Sequence, residues 1–389
     1  MSNYHVPGTS KDSGFWQCSR SLSSLIAVLC GSLLPYGWLS GLSEIRGSEI
    51  KSDERVIFFP TATHLSDDGK DWTIPIHGWI FEPEMDDFSR RLLMRQLHEA
   101  LGLTPESAAT PIFDERARNF LVDNERGKQV SIVLGAKTYT LNPSERDGHF
   151  TGKLKISNDI MRQFAKDGRV HFRAVTRPGD ERHFSGEIHL IEPTGFSVIS
   201  DIDDTIKVSG VSDKQQLVEN TFLKPFQPVE GMSTVCRRWA DARAEFHFVS
   251  ASPWQLYEPL SESMEGAGFP DATFHLKRFR MKDSSFFNLF EEPTKYKLPI
   301  VTTLIRNYPQ RQFVLVGDSG ESDPELYGIV ARQFPRQIVR IFVRDVTGEP
   351  ADSERYERCF EGVPRYKWEI FEKAESLPPT LAVERNTVP

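Results

Sequence analysis

Between Val198 and Gly210 the chain reads VISDIDDTIKVSG, so three carboxylates, Asp201, Asp203 and Asp204, crowd directly behind an apolar run and are followed by Thr205. Like charges a few ångströms apart resist joint ionisation, so such a cluster needs a metal, another cation or bulk water to hold it. Further along, FHFVS closes on Ser250, TKYKLPIV carries Lys297, and FVLVG is followed by Asp318, then SGES, then Asp323. If these residues meet, they form a site of carboxylate oxygens, one hydroxyl and one ammonium, with no histidine or cysteine nearby. Oxygen-only ligands of that kind suit Mg²⁺, which keeps several waters and uses few carboxylates.

Whether they meet depends on the elements that carry them. From Phe196 onward short apolar runs alternate with helical segments: FSVIS, a helix around MSTVCRRWADAR, FHFVS, a helix around QLYEPLSESMEGAG, LPIVTTLIRNYP, FVLVG, PELYGIVARQFP and QIVRIFV. Alternation of this kind predicts a parallel sheet covered by helices on both faces. In such sheets ligands bind outside the carboxyl ends of the strands. Asp201, Asp203, Ser250 and Asp318 all sit at strand ends, and Lys297 opens the helix before FVLVG, so one polar cluster is expected at one sheet edge.

The preceding half has a different period. From 52 to 193, β-branched and aromatic runs such as ERVIFFPTATHL, DWTIPIHGWIFEP, QVSIVLG and GRVHFRAVT are separated by turn sequences such as DDGK and RPGDE, which predicts a β-rich, sandwich-like domain. FSRRLLMRQLHEALGL places leucines at helical spacing from Phe88 to Leu103. Trp72, His77 and Trp79 are read as packing residues on alternating strands. Pro193, Thr194 and Gly195 mark the join to the second domain, 196–375, and 376–389 is expected to be a flexible tail.

Residues 1–43 carry Lys11 and Arg20 ahead of an uncharged apolar run from Ser21 to Leu34, with small residues in GLS just before Glu44. That order is expected of a secretory signal peptide, with a membrane anchor as the rival reading and a cytoplasmic protein with a stray apolar N-terminus as the third, so the protein is expected to be exported if the segment is a signal and cytoplasmic otherwise. Cys236 and Cys359 are the two cysteines beyond this segment and are expected to be unpaired. A net charge of −8 argues against a nucleic-acid partner, and any attraction to an anionic substrate must then be local.

Taken together, the motifs resemble those of the haloacid dehalogenase-like phosphohydrolases. DIDDT resembles the DxDxT signature, Ser250 the second motif, Lys297 the third, and GDSGESD the fourth in its GDxxxxD form. SDIDDTIKVSGV, FVSASPWQLY and FVLVGDSGESDPELY are closer still to the catalytic domain of the fungal actin-patch phosphatidate phosphatase family and its bacterial relatives, although Ala251 stands where the fungal proteins are expected to carry Asn. ERVIFFPTA and IHGWIFEPE are similar to the β-domain of the bacterial members. The resemblance implies an α/β, Rossmann-like domain without a large cap, and a Mg²⁺-dependent phosphatidate phosphatase working through an aspartyl-phosphate. It assigns Asp201 as nucleophile and Asp203 as acid and base. The metal set is Asp201, Asp203 (through its carbonyl), Asp318 and Asp323. Ser250 and Lys297 would hold phosphoryl oxygens, and Thr205 would fix the turn.

Other readings stay open on the sequence alone. An EF-hand loop is excluded because Ile206 stands where that loop needs Gly. Lys295 competes with Lys297 for the lysine role. The substrate could be another phosphomonoester, such as a sugar phosphate, a nucleotide or a phosphoprotein. A non-catalytic envelope lipid-binding protein is the third reading, disfavoured by the intact acidic set. The basic, phenylalanine-rich stretch 274–293 is either a membrane-surface contact or an ordinary strand with polar neighbours.

Overall fold

Buried and less buried residues alternate along DWTIPIH, while RVIFF is apolar on both faces, and these two runs start the first sheet. The computed structural model describes residues 47–83, 91, 95, 99, 101–102, 110–279 and 293–381. Its first sheet has nine strands: β1 (Arg55–Phe59), β2 (Thr61–Leu65), β3 (Asp71–Glu82), β4 (Asp123–Asn124), β5 (Ser131–Leu134), β6 (Lys137–Thr140), β7 (His149–Ser157), β8 (Arg169–Ala174) and β9 (Ser185–Leu190). The order is β1-β3-β2-β9-β8-β5-β6, with β4 and β7 also on β3. Only β2 with β9 is parallel among these pairings. One face of β1 and β3, carrying Val56, Phe58, Trp72, Ile74 and Ile76, shares a core with Ile132, Phe150, Val170 and Ile188. Trp72 and Trp79 are fully buried, as packing residues should be.

The second sheet is parallel throughout. Its strands are β10 (Phe196–Ser200), β13 (Glu245–Pro253), β14 (Ala272–Lys277), β15 (Gln312–Asp318), β16 (Ile338–Arg344) and β17 (Trp368–Phe371); a small ribbon of β11 (Lys207–Val208) and β12 (Gln227–Pro228) lies apart from it. The helices are α1 (Pro111–Arg118), α2 (Asn158–Phe164), α3 (Lys214–Val218), α4 (Met232–Asp241), α5 (Tyr257–Gly266), α6 (Pro293–Asn307), α7 (Asp323–Gln333) and α8 (Glu354–Cys359). Successive strand residues bury on opposite faces, Val198, Val314 and Val316 on one and Ile199, Phe313 and Leu315 on the other. Burial on both faces is what a parallel sheet under two helix layers requires. On α4 the buried Met232, Val235, Cys236 and Trp239 recur at helical spacing and form one stripe.

The strand order is β14-β13-β10-β15-β16-β17. The chain steps outward from β10 through β13 to β14, then returns to the other side of β10 and steps outward again. That reversal opens a crevice at the carboxyl ends of β10 and β15, where open α/β sheets bind ligands.

The two sheets pack against each other. Ile57, Phe59, Trp79 and Phe81, on the second face of the first sheet, share a core with Trp254 and Phe274. The Phe59 ring lies 4.0 Å from that of Trp254 and 5.0 Å from that of Tyr257. Tyr308 donates to the Thr63 carbonyl at 2.8 Å. Arg311, 2% exposed, clasps the join between the halves. It donates to Ser197 Oγ at 2.9 Å and to the carbonyls of Glu192 at 2.7 Å, Thr194 at 2.6 Å and Phe196.

Residues 1–43 lie outside the described residues, as does most of the basic stretch after Phe279. Of the helix expected over Phe88–Leu103, Arg91, Arg95, Glu99 and Leu101 are described, and all are helical. The expected tail begins as packed chain: Leu377 and Leu381 are buried and Trp239 donates to the Pro378 carbonyl at 2.9 Å, while 382–389 lie outside the described residues. Cys236 and Cys359 are both buried and unpaired. Among the described residues no helix is long and apolar enough to cross a membrane.

Arg311→Ala would remove the buried donor shared by three part-buried carbonyls and the Ser197 hydroxyl. Losing hydrogen bonds to a charged group costs about 1.5–3 kcal/mol, so urea unfolding should show a loss of about 2 kcal/mol. A loss under ~1 kcal/mol would mean that the clasp is not what holds the join.

Candidate active site

The carboxyl ends of β10 and β15 bring Asp201 and Asp318 to the crevice, because Ser200 pairs with Val316 and Asp201 N–H donates to the Val316 carbonyl at 2.9 Å. Past Asp201 the chain folds into a tight loop in which the N–H groups of Ile206 and Lys207 both donate to the Ile202 carbonyl. Asp204 takes φ 50° there, a left-handed conformation that Asp tolerates better than most residues. Its carboxylate accepts from the N–H groups of Ser209, Gly210 and Val211 at 2.8, 3.0 and 2.6 Å, so it builds the loop.

Lys297, on the first turns of α6, is 2% exposed and binds three carboxylates at once. Its Nζ lies 2.8 Å from Asp201 Oδ1, 2.8 Å from Glu321 Oε2 and 2.9 Å from Asp323 Oδ1. Burial alone would push this ammonium down, but Asp201, Asp323 and Glu321 outweigh it and hold the pKa well above the usual lysine value. Lys295 is exposed, whereas Lys297 is buried among these carboxylates.

One ammonium does not balance the acidic groups. Burial raises the carboxyl of Asp201 well above its usual value, with Lys297 opposing and Asp323, Glu321 and Asp318 reinforcing the rise. Asp318 is raised by burial and then by Asp323 and Glu321. Its Oδ1 accepts from the N–H groups of Gly320 at 2.6 Å and Glu321 at 3.1 Å, whereas its Oδ2 is buried with no hydrogen-bond partner. Asp201, Asp318 and Glu321 each place an oxygen within 4.8 Å of the others. Three converging carboxylates, one with an orphaned oxygen, fit a hard divalent cation.

Asp203 faces differently. Its Oδ1 is 2.8 Å from Lys207 Nζ and accepts from Ser209 Oγ at 2.7 Å; its Oδ2 accepts from Ser250 Oγ at 2.9 Å and Ser252 Oγ at 2.8 Å. Burial pushes this carboxyl up, but the Lys207 charge and these hydrogen bonds hold it well below the usual range. Thr205 Oγ1 lies 3.5 Å from Asp201 Oδ2. Asp323 is the first residue of α7, with Oδ2 accepting from Asp318 N–H at 3.3 Å and Oδ1 on Lys297.

The structure therefore brings together Asp201, Asp203, Thr205, Ser250, Lys297, Asp318 and Asp323, and adds Lys207, Ser209, Ser252 and Glu321. Lys207 and Ser209 belong to the quoted VISDIDDTIKVSG stretch, and Ser252 lies two residues beyond Ser250 on the same strand face. Glu321 was hidden inside the motif spacer SGES. Asp203, Ser252 and Glu321 line a cavity of about 600 Å³, while Asp201, 2% exposed, is not among its lining residues.

Residues 196–345 match the family model described as the catalytic domain of phosphatidate phosphatase APP1. Over those residues the chain is similar to this catalytic-domain family. An uncharacterised Schizosaccharomyces pombe protein is 36% identical over 170 residues, 43% of this chain and 28% of that one. The Saccharomyces cerevisiae phosphatidate phosphatase APP1 is 33% identical over 168 residues, 42% of this chain and 28% of that one. The chain thus spans a little over a quarter of the length of these curated relatives. A β-glucuronidase of Parabacteroides merdae, 12% identical with 75% of this chain and 34% of that one covered, aligns at a TM-score of 0.23, which carries no argument about the fold. The family match takes in Asp201, Asp203, Ser250, Lys297, Asp318 and Asp323, and also Lys207 and Glu321.

Lys207 is 5% exposed, so Lys207→Met should leave Asp203 as a buried carboxylate without its countercharge. Breaking one side of such a pair costs about 3–5 kcal/mol. The Lys207→Met, Asp203→Asn double variant should recover part of that loss, as measured by urea unfolding. Strictly additive losses would show that the pair is not energetically coupled.

Proposed function

We propose that residues 196–375 form a Mg²⁺-dependent phosphatase domain of the haloacid dehalogenase-like type that hydrolyses phosphatidate to diacylglycerol. The observation that carries this reading is the pairing of Asp201 and Asp318 on adjacent strand ends at the sheet's switch point, cross-linked through Lys297 and Glu321, inside the segment that matches the phosphatidate phosphatase family. The β-rich residues 52–193 pack beside this domain, and we assign residues 1–43 to an export signal or anchor.

In this mechanism a carboxylate oxygen of Asp201 attacks phosphorus and the P–O bond to the alcohol breaks, leaving an aspartyl-phosphate. Asp203 gives its proton to the departing alkoxide, then takes one from the water that attacks the aspartyl-phosphate, releasing inorganic phosphate and restoring Asp201. The resting contacts hold Asp203 ionised, so its donor role requires that a proton be taken up against the Lys207 charge. Lys297 and Ser250 hold phosphoryl oxygens as charge spreads over them. Thr205, on the other carboxylate oxygen, keeps Asp201 from rotating. Asp201, Asp318 and Glu321 would hold Mg²⁺, with the Asp203 carbonyl and Asp323 completing the surroundings; the bound cation supplies charge neutralisation so that an anion can attack an anion.

Hydrolysis of phosphatidate should require added Mg²⁺ and stop in excess chelator, followed by release of inorganic phosphate. Asp201→Asn should abolish turnover. Asp203→Asn should lose ~10²–10⁴ in rate, the usual cost of a missing acid–base group. Full activity with chelator present, or in Asp201→Asn, would overturn the mechanism.

A further inference from the structure

The cavity is far larger than a phosphate ion needs. Its volume of about 600 Å³ falls in the ~300–1,000 Å³ range of sites that enclose an organic ligand. Asp203, its partner Ser252 and the acidic Glu321 occupy one part of its lining. Elsewhere Val211, Leu217, Pro253 and Leu256 line it beside the polar Ser212, Lys214, Thr221 and Arg355, so the same cavity runs from a charged centre onto a mixed wall that carries an apolar patch.

That wall is built on a helical arm. Lys214, Leu217 and Thr221 all line the cavity and fall three and four residues apart, the spacing of one helix face. Between Glu219 and Leu223 the arm changes from α3 to a π-helical turn, a deviation found frequently at functional sites. Two anchors fix it. At its start Asp213 caps the helix by accepting from Gln215 and Gln216 N–H at 2.8 and 3.2 Å. At its far end the fully buried Phe222 packs on Phe120 of the first half at 5.8 Å, and Arg116 of α1 donates to the Thr221 carbonyl at 2.5 Å. Arg116 is 5% exposed and also stacks over Phe226 at 3.6 Å. The first half of the chain therefore sets the position of this wall.

We propose that Leu217 and Leu256 are specificity-determining residues that receive the acylated glycerol part of the substrate, so that the site selects an apolar alcohol over a polar one. The proposal rests on the phosphatase reading above and adds which residues choose the ester. A sugar or nucleotide alcohol gains nothing from Val211, Leu217, Pro253 and Leu256 and must turn to Ser212, Lys214, Thr221 or Arg355 for hydrogen bonds. An acyl-bearing glycerol instead removes apolar surface from water. Full burial of one leucine-sized group is worth about 1.5–3 kcal/mol, which is roughly tenfold or more in affinity.

The test compares dioctanoyl phosphatidate with glycerol 3-phosphate, which share the phosphate ester and differ only in the acyl groups. The wild-type full chain with Mg²⁺ should favour the acylated ester in kcat/KM by at least tenfold. Leu217 is half-buried, and Leu217→Asp should keep its thermal unfolding midpoint while kcat/KM for dioctanoyl phosphatidate falls about tenfold or more, mainly through KM. Leu217→Met should stay within about threefold of wild type. Equal use of the two esters by the wild type would overturn the proposal, as would an unchanged KM in Leu217→Asp. If Leu217→Asp loses its folded state, Leu256→Met and Leu217→Gln carry the same comparison, and an unchanged KM in Leu217→Gln counts against the wall. Absence of hydrolysis of either ester by the wild type would refute the phosphatase reading itself, an outcome distinct from loss of selectivity.

Discussion

The contact on which the site depends is the single ammonium of Lys297 shared among Asp201, Glu321 and Asp323 at 2.8, 2.8 and 2.9 Å. These groups come from a strand end, a loop, a helix start and the first turns of α6, and in a buried site their mutual repulsion would drive them apart or neutralise them. Lysine holds them, but with one charge it leaves the set negative and Asp318 Oδ2 without a partner. That residual charge is the physical reason for assigning a divalent cation here. Water would not substitute well, because the set is too buried for solvent to screen it.

Everything around this contact serves to bring it about. The parallel sheet reverses its direction of growth between β10 and β15, which places two acidic strand ends side by side. The loop after Asp201 is closed by Asp204, leaving Asp203 turned toward Lys207, Ser209, Ser250 and Ser252. The carboxylates thus sort into two environments: Asp201 and Asp318 among other acids, Asp203 among donors. These surroundings push the Asp201 carboxyl up and the Asp203 carboxyl down, and a divalent cation held by Asp201, Asp318 and Glu321 would favour the ionised nucleophile. The first half contributes at a distance, through Phe59 on Trp254 and Arg116 on the arm that borders the cavity.

Much of this was legible in the sequence for a simple reason. Strand-helix alternation after Phe196 has a period that only a parallel α/β sheet satisfies, and residues just after its strands must converge. Asp201, Ser250 and Asp318 could be placed together on that ground alone. Glu321 could not, since a glutamate in a spacer between two motif acids looks the same whether it turns in or out. Lys207 was equally hidden, because its pairing with Asp203 depends on a loop closed by the unusual φ of Asp204. The nine-stranded sheet was readable as β-rich, but its order was not: β2 with β9 joins strands far apart in the chain, and short alternating runs carry no information about distant partners. The packed segment 376–381 was missed because Leu377 and Leu381 are isolated among prolines and polar residues, with no period to mark them.

The central claim is that Asp201 carries the phosphoryl group. The most direct measurement is a rapid acid quench of the enzyme turning over phosphatidate labelled in its phosphate, with proteolysis and mass analysis of the peptide spanning Val198 to Gly210. The account expects a phosphoryl group on Asp201, transient in wild type and accumulating in Asp203→Asn. Turnover with no label on that peptide at any quench time, or label carried by another residue, would contradict it.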